Sequence, residues 1–260
     1  MRSTVAATAA IILAMAATTA SAGVVISQDV VDTDNAGKQH KSEQTIMLQG
    51  NKEKLILPER AIITDLDAGK MYVLIPTAKR AAELPFPPPE RVAMIMARMG
   101  MFVGFQKTTG GGKVAEYDCQ NYAVSENVGR MKIDATECVA SAAAGAAEFV
   151  AFRKGLAVKL KNSTFAPKGD VPDGIPVAST LSIGFIPFAI PDGYPAAQAA
   201  RIKASEAKAR PDVRSVKVTK IQVKDLPADT FAVPAEYKTQ VAPKKPAAAS
   251  KPAAAASPAH

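Results

Sequence analysis

Between Gly23 and Phe86 the chain alternates short β-forming runs with tight turns, and this rhythm leaves few folds open. In GVVISQDVVD, Val24, Ile26 and Val30 share one face, and Val25 and Val31 take the other. TIMLQ sets Ile46 and Leu48 opposite Met47, and KLIL (Lys54 to Leu57) is a short apolar run. AIITDLDAGKMYVLIP spells a hairpin, because Asp67-Ala68-Gly69 supplies turn chemistry between two β-rich runs. RAAELPF follows as a further strand. Short strands at close spacing predict an antiparallel meander.

Pro87-Pro88-Pro89-Glu90 interrupts the rhythm and suits a helix start. In RVAMIMARMGMF, Val92, Ile95, Met96 and Met99 form one helical stripe, and Met94, Ala97 and Met101 form a second. A helix apolar nearly all round needs cover on more than one side. Sheet is expected again from Met101 to Ser141, with Gly110-Gly111-Gly112 as one turn and Asn127 to Arg130 as another. A hairpin tip at Val128-Gly129 would place Cys119 directly opposite Cys138. Ala142 to Asn162 has helical period, with Phe149, Phe152, Leu156 and Leu160 on one face. VPDGIPVASTLSIGFIPF returns to strand. Pro195 to Arg210 reads as a solvated helix or an extended loop, and VRSVKVTKIQV as a last long strand before DLPADTFAVPAEY.

The two ends differ from this body. Arg2, an apolar run from Val5 to Ala17, and Ala20-Ser21-Ala22 match a secretory signal peptide, so residues 1–22 are expected to be removed. That run is too short to span a bilayer, which needs roughly 20 residues. The mature chain is expected to be periplasmic or otherwise exported and not membrane-spanning. Residues 240–260 form an Ala/Pro/Lys-rich tail without an aromatic side chain, a composition expected to stay disordered. One domain, residues 23–239, remains. The whole chain's net charge of +8 drops by one with Arg2, and three further lysines lie in the tail, so nucleic acid is not expected as a partner. Cys119 and Cys138 are the only cysteines and, in an oxidising compartment, are expected to form a disulfide worth about 3 kcal/mol.

Motifs for catalysis are wanting. The glycines before Lys113 suggest a phosphate loop, but Lys107 stands where its first glycine belongs and Val114 where Ser or Thr belongs. His40 is the one histidine outside the tail, it sits in a polar stretch, and no G-x-S-x-G occurs. The expectation is no catalytic residue, no metal site, no cofactor and no enzymatic activity.

IITDLDAGKMYVLIPTAKRAAELP resembles the meander of bacterial lipoprotein-carrier proteins, the LolA/LolB-like half-barrels. Together with YDCQNY, ECVAS, AAEFVAF and TFAVPAEY, it is similar to an uncharacterised family of exported bacterial proteins grouped with those carriers. The resemblance implies an α+β fold: a strongly curved antiparallel β-sheet, or half-barrel, with helices packed on its concave face. It also implies a carrier for a lipid or other hydrophobic ligand and no catalytic residues. The alternative is an envelope structural or interaction protein with a filled core and a protein or cell-wall partner. Met94, Ile95, Met99 and Phe102 are the candidate apolar cavity residues, because methionine adapts to varied ligands as well as to irregular cores.

Overall fold

The structure, a computed structural model, describes residues 22–88, 104–128, 131–163, 166, 169–187, 189–208 and 210–241. The methionine-rich segment, most of the signal peptide and nearly all of the tail lie outside those residues.

Alternation in Gly23 to Pro85 produces six strands: β1 (Gly23–Thr33), β2 (Gln39–Gln49), β3 (Lys52–Ile56), β4 (Ala61–Asp65), β5 (Lys70–Ile75) and β6 (Arg80–Pro85). Each pairs antiparallel with the next, and the hairpin closes with Asp65 opposite Lys70, as its turn residues require. A second meander runs through β7 (Gln106–Val114), β8 (Tyr117–Val128), β9 (Met131–Ala140), β10 (Ile175–Phe185) and β11 (Asp212–Lys224). The two meanders join along one seam, where β1 pairs with β11 from Gly23↔Lys224 to Thr33↔Val213. The register shifts once along the seam, after Ser27, leaving Thr219 as an extra residue on β11. That bulge keeps Val218 and Ile221, three residues apart, on the same face.

The half-barrel expectation is overturned. The described strands form an open twelve-stranded sheet in the order β12-β6-β5-β4-β3-β2-β1-β11-β10-β9-β8-β7, where β12 is Lys238–Val241. Its two edges, β12 and β7, do not meet, so the sheet is neither closed nor strongly curved. Nor is it purely antiparallel, because β12 lies parallel to β6. The reason lies in the long connection after β11: the chain leaves the middle of the sheet, passes through a 3-10 turn at Ala228–Phe231, and reaches the far edge in the parallel sense. β12 also takes in Gln240 and Val241, two residues from the segment expected to be tail.

The two described helices relate to the sheet in different ways. Helix α1 (Ala146–Leu160) lies on one face of the sheet and buries Phe149, Val150, Phe152, Leu156 and Leu160. Against them pack Val24, Ile26 and Leu48 from the sheet, all essentially inaccessible to water. Its entry depends on Gly145, whose φ of 79° is left-handed and whose added Cβ would meet Val24 Cγ2 at 2.5 Å. Helix α2 (Ala196–Lys208) is exposed along most of its length, as the reading of a solvated helix expects, and among its described side chains none is buried. The opposite face of β4 to β6 is covered by Phe231, Val233 and Tyr237 from the closing segment.

Two local readings are corrected. Gly110 to Gly112 lie inside β7, across a register irregularity, and the turn falls at Ala115 and Glu116. Strand passes there because Gly111 abuts the partner backbone: a Cβ would meet the Cys119 carbonyl oxygen at 2.4 Å. Cys119 and Cys138 form a disulfide with a Cα–Cα distance of 5.3 Å. They are not directly opposed, because Val128 pairs with Met131 and the register sets Asn121 opposite Cys138.

Replacing Phe152 by Ala removes the most deeply buried aromatic side chain of α1. The unfolding free energy should fall by about 3–5 kcal/mol, while Val158→Ala on the exposed face should stay within about 0.5 kcal/mol. Urea titration of both variants checks this, and equal small losses would contradict the packing of α1 on the sheet.

Candidate functional site

Six strands and α1 together line a cavity of about 100 Å³. Its apolar wall includes Ile46, Leu55, Leu181 and Val216 from the sheet, and Phe149, Phe152 and Leu156 from α1. The polar lining is what distinguishes it from ordinary core. Gln28, Gln44, Glu53, Glu137, Ser179, Arg153 and Arg214 all face this space.

Strand register brings these groups together. Gln28 stands opposite Gln44, and Leu48, one inward position along β2 from Ile46, stands opposite Glu53. Across the seam Asp32 pairs with Arg214, and on the far side Ser179 pairs with Glu137. All share the sheet face that α1 covers, so a row of polar side chains interrupts an otherwise apolar surface. Burying such groups is costly unless they find partners.

Most of them do. Arg153 Nη1 donates to Glu137 Oε2 at 3.0 Å, and both side chains are shielded from water. The guanidinium also lies over the Phe105 and Phe149 rings, at 5.5 and 5.7 Å from their centroids. Gln44 Nε2 donates to Gln28 Oε1 at 2.7 Å. Arg214 spans the seam: Nη2 donates to Gln44 Oε1 at 2.7 Å, and Nη1 to the Asp32 carboxylate at 2.9 Å. Its Nε is buried without a partner.

Glu53 is the exception. Its carboxyl makes no direct hydrogen bond or ion pair among the described residues. The side chain is half-buried in the cavity lining, where desolvation raises its pKa from 4.5 to about 7 while the Arg153 charge pulls it down. Burial also raises Glu137, against the opposing pull of Arg153.

The candidate cavity residues Met94, Ile95, Met99 and Phe102 lie outside the described residues. His40 is exposed at the start of β2, opposite Asp32 at the outer end of the polar row, and it does not line the cavity. Among the described residues no group of three or more His, Cys, Asp or Glu is placed to hold a metal ion. None of their helices is long and apolar enough to cross a membrane. The polar row was missed at the level of sequence, yet it left a signal. Gln28 stands in phase with Val24, Ile26 and Val30, and Arg153 falls one turn after Phe149 in the buried stripe of α1. Polar residues in the core phase of an apolar pattern mark such rows.

No protein-family model matches the chain, and no curated protein does. Solved structures do match. PNGF-II, in a P21 crystal form, aligns with 85% of this chain at 8% identity and a TM-score of 0.40, and the chain spans about a third of its length, 32%. A LolA superfamily protein from Nitrosomonas europaea aligns with 80% of this chain and 89% of its own at 10% identity, with a TM-score of 0.31. A Vibrio parahaemolyticus domain described as outer membrane lipoprotein-sorting aligns with 81% and 89% at 8% identity and a TM-score of 0.33.

The raised pKa of Glu53 has a consequence for stability. The folded protein holds this proton up to about pH 7, whereas an unfolded glutamate releases it near 4.5. Stability therefore falls as pH rises through that window, by at most about 3 kcal/mol, and the loss is complete above it. Glu53→Gln should unfold at higher urea than the parent at pH 8.5 and at nearly the same urea at pH 4. An identical difference at both pH values would contradict a buried, unpaired carboxyl.

Proposed function

We propose that this chain is an exported, non-enzymatic binding protein whose site is the cavity beneath α1 and whose ligand is a small hydrophobic or amphiphilic molecule. One observation carries the reading: a mostly apolar enclosure that holds a few convergent polar groups, one of them without a partner. That combination fits recognition of a ligand with an apolar body and a polar head. The signal-peptide pattern of residues 1–22 supports binding outside the cytoplasm. Met94, Ile95, Met99 and Phe102 are retained as further apolar contacts, since a methionine-rich wall adapts to ligands of different shape.

Size limits the ligand. The cavity, about 100 Å³, is smaller than the engineered apolar cavity of about 150 Å³ that admits benzene. It is well below the roughly 300–1,000 Å³ of drug-sized sites. A short alkyl segment fits with small adjustments, and a full acyl chain requires α1 or its side chains to move. The same figure favours the second reading, an envelope interaction protein whose core is filled and whose surface meets a protein or cell-wall partner.

Native mass spectrometry and thermal unfolding of the unaltered protein separate the two. With 1-hexanol and with dodecanoate present, the binding reading expects a saturable rise in unfolding temperature and a ligand-bound mass. An unchanged midpoint with both compounds, together with a purely apo mass, would leave the filled-core reading standing.

A further inference from the structure

The binding reading leaves the ligand's head group open, and the charges around the cavity narrow it. Arg153 is committed to Glu137 and stacked on two aromatic rings. Arg214 is committed to Asp32 and Gln44. Gln28 and Gln44 are hydrogen-bonded to each other. Each cation in the lining thus has an acid of its own, and Glu53 is the carboxyl left over. We propose that Glu53 anchors the ammonium group of a small amphiphilic amine, whose apolar chain or ring lies against Phe149, Phe152 and Leu156.

Chemistry favours an amine over the other head groups. A carboxylate or phosphate would set a second negative charge beside Glu53 in a poorly solvated space. An alcohol satisfies one lone pair and leaves the charge uncompensated. An ammonium donates up to three hydrogen bonds and cancels the charge. Arg153 on α1 is the cation whose charge reaches Glu53 and would oppose it, and Glu137 on β9 neutralises that charge. From the seam, Arg214 on β11 is likewise balanced by Asp32 on β1.

Proton competition adds a signature. Glu53 must be ionised to receive the ammonium, and its carboxyl ionises only near neutrality. Affinity for the amine should therefore increase as the solution is taken from pH 6 to pH 8. For a group with a pKa near 7 that increase approaches tenfold.

The inference rests on the binding reading, and a three-ligand comparison separates their failures. Calorimetric titration of the unaltered protein at pH 8 with n-hexylamine, 1-hexanol and hexanoate should rank the amine at least about tenfold tighter than the acid. Affinity for hexylamine should drop roughly tenfold at pH 6, with hexanol unchanged. Glu53→Gln should weaken hexylamine by about the same factor and leave hexanol within about twofold. Equal affinity for all three compounds, or tighter hexanoate, overturns the amine assignment while leaving the binding reading intact. Absence of binding by any of them overturns both. Should the Gln variant not fold, the ligand ranking and pH dependence of the unaltered protein decide the matter alone.

Discussion

The seam between β1 and β11 is the interaction on which the rest of the molecule depends. It joins residues about 190 positions apart, from Gly23↔Lys224 to Thr33↔Val213, and fuses two locally built meanders into one sheet. Without it, Glu53, Gln44 and Gln28 would belong to one unit, and Glu137, Ser179 and Arg214 to another. The extra residue at Thr219 sets the phase, and Thr219 Oγ1 fastens it by donating to the Ser27 carbonyl at 3.1 Å. A slip of one residue would turn Arg214 and Val216 to the opposite face and dissolve the polar row. Long-range pairing of this kind is slow to form and gains nothing until both halves are in place.

Helix α1 performs two tasks on the sheet so assembled. Its phenylalanines and leucines seal the apolar surface over Val24, Ile26 and Leu48. Arg153, on the same buried stripe, delivers the one cation that Glu137 requires. Such a pair adds little net stability over apolar packing, yet removing one partner costs about 3–5 kcal/mol. Arg153 therefore bonds Glu137 and reaches Glu53 only through its charge. The unpaired carboxyl follows from this arrangement, and so does the polarity of the cavity. Structure and proposed binding meet at that one imbalance.

The first meander was legible because each of its signals is local. Asp67-Ala68-Gly69 sets the β4–β5 turn, and alternation marks the strands on either side. The stripe of Phe149, Phe152, Leu156 and Leu160 likewise marked α1. What escaped was set by distant pairing. Neither the seam nor the parallel docking of β12 on β6 has a local signature, and a half-barrel and an open sheet share the same strand periodicity. The cysteine register was off by two because the tip was placed at Val128-Gly129, whereas Val128 pairs with Met131. At the site, Gln28 and Arg153 broke an apolar pattern and could be read as anomalies. Glu53 could not, since it precedes KLIL in a run whose inward face only pairing decides.

The seam and α1 together leave Glu53 in the cavity lining, desolvated and without a direct partner among the described residues. A carbon-13 NMR titration of the glutamate side-chain carboxyls, with Glu53 assigned by its loss in Glu53→Gln, measures this directly. A midpoint of about 7 for Glu53, raised by burial from the ordinary 4.5, is the result the structure predicts. A midpoint at 4.5, the value of an exposed glutamate, would contradict it and would show that the carboxyl is solvated or paired.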